Sequence, residues 1–155
     1  MSKKRPSSDN NRIAENRKAR FEYAVEESFE AGIVLQGWEV KSLRAGKGGI
    51  ADSYVIMKNG EAWLLNAQIS PLLSASTHIN PETTRTRKLL LKHKELKRLI
   101  GAVERQGYTI VPLTMYWKHG LAKVQIAIAK GKKLYDKRET TKRREWERSR
   151  HRLLK

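Results

Sequence analysis

Tyr108-Thr109-Ile110-Val111-Pro112-Leu113-Thr114-Met115-Tyr116-Trp117-Lys118-His119-Gly120-Leu121-Ala122-Lys123-Val124-Gln125-Ile126-Ala127-Ile128-Ala129 carries a clear strand pattern. Val124, Ile126 and Ile128 alternate with Lys123, Gln125 and Ala127, the period of two of a strand with one buried face. Lys118-His119-Gly120 is a turn signal, so 108–117 and 121–129 form a hairpin. Pro112 has no N–H for a ladder, which places it at an edge or a bulge.

Upstream, Leu96, Leu99, Ile100 and Val103 fall at i, i+3, i+4 and i+7, an amphipathic helix from about Lys92 to Gln106. Gly107 stops it. Leu89-Leu90-Leu91 closes with the sheet. Residues 54–57 and 62–69 form a second hairpin through Lys58-Asn59-Gly60-Glu61, because Asn-Gly between apolar runs fits a tight primed turn. Between the two hairpins, 70–87 is a long polar connection. Gly37 to Gly46 reads as a short helix with Val40 and Leu43 on one face, Lys41 and Arg44 on a neighbouring one. Phe21, Tyr23 and Val25 alternate with Glu22, Ala24 and Glu26, so a strand starts there and continues to Leu35, with Gly32 a bend or bulge. The expected fold is mainly β: a small OB-like barrel with about three helices, one of them sealing an end.

Outside this body the composition changes. The 155 residues carry 33 Lys+Arg against 16 Asp+Glu, a net of +17. Residues 1–20 hold +5, 21–129 hold +4 and 130–155 hold +8. The organisation expected is a disordered arm at 1–16, the barrel at 17–129 and a basic tail at 130–155. The tail has too few apolar residues to offset its ordering entropy, so it is expected to be disordered when free. Asp136-Lys137-Arg138-Glu139 has capping-box spacing, so it is expected to turn helical when docked.

Charge at both ends points to a polyanion, with nucleic acid ahead of membrane. No apolar run approaches the roughly 18–20 residues of a spanning helix. Nothing near Met1 reads as a signal peptide. The chain has no cysteine, which excludes disulfides, thiol catalysis and Cys-ligated metal. A cytoplasmic place is expected. His78, His93, His119 and His151 have no ligand spacing, and Glu39, Asp52, Glu26, Glu27 and Glu30 sit in separate places, so no acid/base pair stands out. Gly46-Lys47-Gly48-Gly49 lacks the spacing of a phosphate-cradling loop. No cofactor or metal is expected. Trp38, Trp63, Trp117, Tyr54 and Tyr108 read as core. Tyr135 and Trp146 stand among tail charges, where an aromatic can stack on a base.

Glu30-Ala31-Gly32-Ile33, Gly37 through Lys47, Arg87-Lys88-Leu89-Leu90-Leu91 and Lys130 through Arg138 together resemble the SsrA-binding protein family, also called small protein B, with similarity from about Arg17 to Lys155. The resemblance implies an OB-fold barrel acting in trans-translation. It binds the tRNA-like domain of transfer-messenger RNA and accompanies it to ribosomes stalled without a stop codon. The tail would enter the empty mRNA channel. RNA contacts would fall on Glu30, Leu90 and Lys123 with the nearby cations Arg17, Lys18, Arg20, Lys41, Arg44, Lys47, Arg85, Arg87 and Lys88. Ribosome contacts would fall on Lys130, Lys132, Lys133, Tyr135, Asp136, Lys137, Arg138, Trp146, Leu153 and Leu154. The expectation is thus a monomeric RNA-binding adaptor with no catalysis of its own, whose partners are transfer-messenger RNA and the ribosome. A structural ribosomal protein and a metal-dependent nuclease are the rival readings.

Overall fold

The structure, a computed structural model, describes residues 11–72 and 82–132 together with Glu145, Trp146 and Arg148. Among the described residues up to Lys132, nine strands and three helices follow one another: β1 (Arg12–Glu15), α1 (Arg17–Glu22), β2 (Tyr23–Ile33), α2 (Gly37–Arg44), β3 (Gly48–Gly49), β4 (Tyr54–Lys58), β5 (Glu61–Leu65), β6 (Gln68–Ile69), β7 (Arg87–Leu90), α3 (His93–Val103), β8 (Tyr108–Lys118) and β9 (Leu121–Gly131). The main sheet runs β8-β4-β5-β7-β2-β9 and returns from β9 to β8. It is a ring, as the barrel reading expects, but two joints are thin. Val55↔Ile110 alone joins β4 to β8, and Gly32↔Leu90 with Ile33↔Leu89 join β2 to β7. The long hairpin β8–β9 is the backbone of the barrel and pairs from Tyr108↔Lys130 to Lys118↔Leu121. The four-residue turn of β4–β5 has Asn59 and Gly60 at φ 54° and 74°, the positive pair that a primed turn needs.

Leu64, Leu89, Leu99, Ile110, Met115, Val124 and Ile126 fill the interior and are buried. The inward positions of β9 are those its alternation predicts. Its outward alanines, Ala127 and Ala129, are buried too, because Ala19 of α1 packs over them with Val111 and Leu113. Small side chains at those places let the helix come close to the sheet. Pro112 marks a register shift in β8 between Pro112 and Thr114. Upstream of it β8 pairs with β4, and downstream with β1. The residue without an N–H thus sits where the strand changes neighbours.

Several expectations need correction. Arg12–Glu15 is strand, not disordered arm: it pairs with β8 through Arg12↔Tyr116, Ala14↔Met115 and Glu15↔Thr114. Phe21 and Glu22, expected to open a strand, instead end the helix Arg17–Glu22, and the strand starts at Tyr23. Asn16 caps that helix, its Oδ1 accepting from the Ala19 N–H at 3.1 Å while its Nδ2 donates to the Pro112 carbonyl at 3.0 Å. The bulge of β2 lies between Val25 and Glu27, and Gly32 is inside regular pairing. The strand expected to run from 62 to 69 breaks at Asn66, which has φ 62°, into β5 and β6. The buried face of α3 is Leu96, Leu99 and Ala102, with Val103 exposed. β9 continues through Gly131, past the expected end of the body at Ala129. The expectations for Lys133, Tyr135, Asp136, Lys137, Arg138, Leu153 and Leu154 lie outside the described residues. Trp146 lies on a helical position and is 62% exposed.

Candidate RNA interface

Strand register assembles the outer face of the barrel. Directly opposed residues in neighbouring strands point to the same side of a sheet. One row crosses Arg12 (β1), Tyr116 (β8), Lys123 (β9), Gly32 (β2) and Leu90 (β7). The adjacent row on that face crosses Glu15, Thr114, Gln125 and Glu30. Leu90 is 51% exposed although its neighbour Leu89 is in the core. A Cβ at Gly32 would come 3.2 Å from the Leu90 Cβ, so glycine leaves room for leucine to lie over the strand.

Glu30 organises one half of this face. Its carboxylate accepts from the Tyr116 hydroxyl at 2.5 Å, and Lys118 Nζ lies 3.2 Å from each oxygen. The Tyr116 hydrogen bond, followed by Lys118 and by the charge of Lys123, holds the Glu30 carboxyl below the usual carboxylate range against a smaller desolvation cost. Burial, then the Glu30 carboxylate, pushes the Tyr116 phenol up, so it remains a donor. Glu15 organises the other half, with Arg12 at 3.1 Å, Arg20 at 3.6 Å and Arg17 at 3.7 Å. Arg20 also donates to Thr114 Oγ1 at 3.2 Å. The face therefore offers oriented cations, a fixed carboxylate and one apolar side chain. Such a surface can meet phosphates, accept from a 2′-hydroxyl and touch a sugar or base.

Of the expected contact residues, the fold gathers Arg17, Arg20, Glu30, Leu90 and Lys123 here. Arg44 stands over the Trp117 ring at 5.7 Å, and Lys41 is exposed on the same helix. Lys47 is exposed in the loop after α2. Lys18 lies apart, 3.8 Å from Asp52, and Lys88 lies 4.0 Å from Glu61. Lys130 is a strand residue, opposed to Tyr108, and Lys132 directly follows β9.

Arg87 is a correction, since it is fully buried and cannot reach RNA. Its Nε donates to Glu39 Oε2 at 2.6 Å, Nη1 to the Ala67 carbonyl at 2.7 Å and Nη2 to the Thr83 carbonyl at 3.2 Å. Arg85 donates to Glu39 Oε1 at 2.6 Å and to the Val34 carbonyl at 3.3 Å, so it too serves the fold. Burial raises the Glu39 carboxyl, but Arg85, the Gln36 N–H and Arg87 outweigh it and hold the group below its ordinary range. This cluster ties α2 to β7.

Arg12, Glu15, Thr114, Tyr116 and Lys118 are residues of this face that the sequence did not single out. The alternation that turned Lys123 outward applies equally to Tyr116 and Lys118 across the hairpin, so those two were findable. Arg12 required the pairing of β1. Among the described residues, no three His, Asp or Glu side chains come together to hold a metal ion, and no helix is long and apolar enough to cross a membrane.

A mainly β ring with a cation-lined outer face, continued by a basic C-terminal segment, defines a nucleic-acid-binding barrel protein. Comparison with known proteins makes this specific. Residues 13–155 match the family described as SmpB protein, and the chain belongs to that family. An SsrA-binding protein of Alcanivorax borkumensis is 59% identical over 143 residues, covering 92% of this chain and 90% of the relative. A chain from the structure described as "tmRNA-SmpB: a journey to the center of the bacterial ribosome" is 48% identical, with a TM-score of 0.64 over 77% of this chain and 84% of that one.

Proposed function

We propose that the protein is the RNA-binding adaptor of trans-translation. Its barrel holds the tRNA-like domain of transfer-messenger RNA and carries it to stalled ribosomes, where incomplete peptides are tagged. The observation that carries this reading is the extent of the family match, which spans residues 13–155 and so takes in barrel and tail. The outer face supports it, because Glu30, Tyr116, Lys118, Lys123 and Leu90 make a shaped surface rather than a diffuse charge. Phosphate contacts position a folded RNA and the fixed carboxylate adds selectivity. The tail, with net +8, would meet ribosomal RNA lining the empty mRNA channel. The adaptor has no chemical step of its own and works as a monomer in the cytoplasm, where its ribosomes are.

Sequencing the RNA that co-purifies with the full-length protein tests this. One abundant small RNA with a tRNA-like end is the expected result. Stoichiometric recovery with every ribosome and no such RNA would instead make it a structural ribosomal protein.

A further inference from the structure

The end of β9 is built into the barrel by a cluster that stands apart from the Glu30 and Glu15 contacts of the outer face. Tyr108 opens β8 and is opposed in register to Lys130 near the end of β9. Two cations lie over its ring: the Arg105 guanidinium at 4.1 Å from the centroid and the Lys130 ammonium at 5.7 Å. The turn between α3 and β8 sets this up. The Tyr108 N–H donates to the Arg105 carbonyl at 3.2 Å, and Gly107 has φ +84°, a conformation that favours glycine. Arg105 is held from the other side by Glu26 of β2 at 3.5 Å. Beyond Lys130 the ladder continues: Gly131 opposes Tyr23, and the Lys132 N–H donates to the Glu22 carbonyl at 2.8 Å. The chain is thus held in strand geometry through Gly131, and Lys132 is bonded back to Glu22.

We propose that Tyr108 and Arg105 are positioning residues for the tail: the cation-faced Tyr108 ring pins the end of β9 and so fixes where, and in which direction, the basic segment departs from the barrel. The proposal rests on the tail acting at the ribosome. A tethered segment reaches its site with an effective concentration set by where it is anchored. An anchor that frays by two or three residues spreads the tail over a larger volume. A cation over a ring needs the aromatic face, not the hydroxyl. Tyr108→Phe should therefore preserve the device, whereas Tyr108→Leu keeps apolar contact with the core but loses it. Arg105→Gln removes one cation from an exposed position.

The test uses full-length protein and transfer-messenger RNA. RNA affinity, tagging at saturating RNA in a reconstituted system, and hydrogen exchange of the Lys132 amide are measured for the three variants. The expected result is unchanged RNA affinity throughout, and wild-type tagging and exchange for Tyr108→Phe. Tyr108→Leu should tag more slowly than wild type, with faster Lys132 exchange while the core amides of β8 and β9 stay protected. Arg105→Gln should move the same way to a smaller extent, and it keeps the test decisive if Tyr108→Leu fails to fold. Normal Lys132 exchange in both Tyr108→Leu and Arg105→Gln would overturn the proposal. So would an equal defect in Tyr108→Phe, or a fall in tagging matched by a fall in RNA affinity. Faster Lys132 exchange with unchanged tagging would overturn the positioning role while leaving the adaptor function intact.

Discussion

Glu39 and Glu30 are both carboxylates surrounded by cations, and they do different work because one is buried and the other is at the surface. Glu39 is the only acid facing Arg85 and Arg87 at hydrogen-bond distance among the described residues, and Arg87 is fully buried with it. Removing one partner of a buried pair leaves an uncompensated charge, so Glu39→Ala should cost about 3–5 kcal/mol in urea unfolding. The sign of its pH dependence follows from its lowered pKa. The stabilisation is complete above the unfolded carboxylate value of about 4.3 and is lost as pH falls through the lower folded value. The stability gap between wild type and Glu39→Gln should therefore shrink on acidification below about pH 4; a gap constant with pH would remove the ionised Glu39 from the account. Glu30 and Lys123 belong to the outer face. Lys123→Ala should weaken RNA binding and lower the slope of log affinity against log salt by about 1. Glu30→Ala should reduce affinity for the folded RNA roughly tenfold, in keeping with a charge-assisted contact of about 1.5–3 kcal/mol. Its binding to unstructured RNA should not fall, because Lys118 is released. Both are read by titration, with thermal melts to exclude loss of fold.

At the scale of elements, what was legible follows from period and turn chemistry. The β8–β9 hairpin shows itself in the Val124-Ile126-Ile128 alternation, and β4–β5 in Asn59-Gly60. The bulge at Pro112 follows from a missing N–H. Local signals failed where tertiary contacts decide. Arg17-Lys18-Ala19-Arg20-Phe21-Glu22 has no apolar stripe, since it buries chiefly Ala19, and Phe21-Tyr23-Val25 imitates a strand. Its helix is set by Asn16, which caps it and bonds to the Pro112 carbonyl far along the chain. Arg87 was grouped with the cations near the contacts the resemblance implies, and nothing local announces the buried Glu39 that accepts from it. Leu90 was legible only through family resemblance, as three leucines in a row do not say which faces out. Asn16→Ala should cost about 1–2 kcal/mol from the cap alone, and more from the buried carbonyl left unpaired. Urea unfolding checks it; a loss under 0.5 kcal/mol would mean that α1 docks without its cap.

On the scale of the whole molecule, charge divides the labour. The barrel carries modest net charge and a patterned face, whereas the last 26 residues carry +8 with few apolar side chains. A patterned face suits selection of one folded RNA, and a dense basic segment suits a second polyanion. The central claim is that these two activities are separable. The measurement that tests it most directly compares the full chain with a chain ending at Lys132, which keeps all of β9 and the bond from Lys132 to Glu22. Both are saturated with transfer-messenger RNA and assayed for RNA affinity and for peptide tagging on stalled ribosomes. The shortened chain should keep RNA affinity within about threefold, with a shallower salt dependence, and should lose tagging. Equal tagging by the two chains, or tagging lost only in proportion to RNA binding, would contradict it.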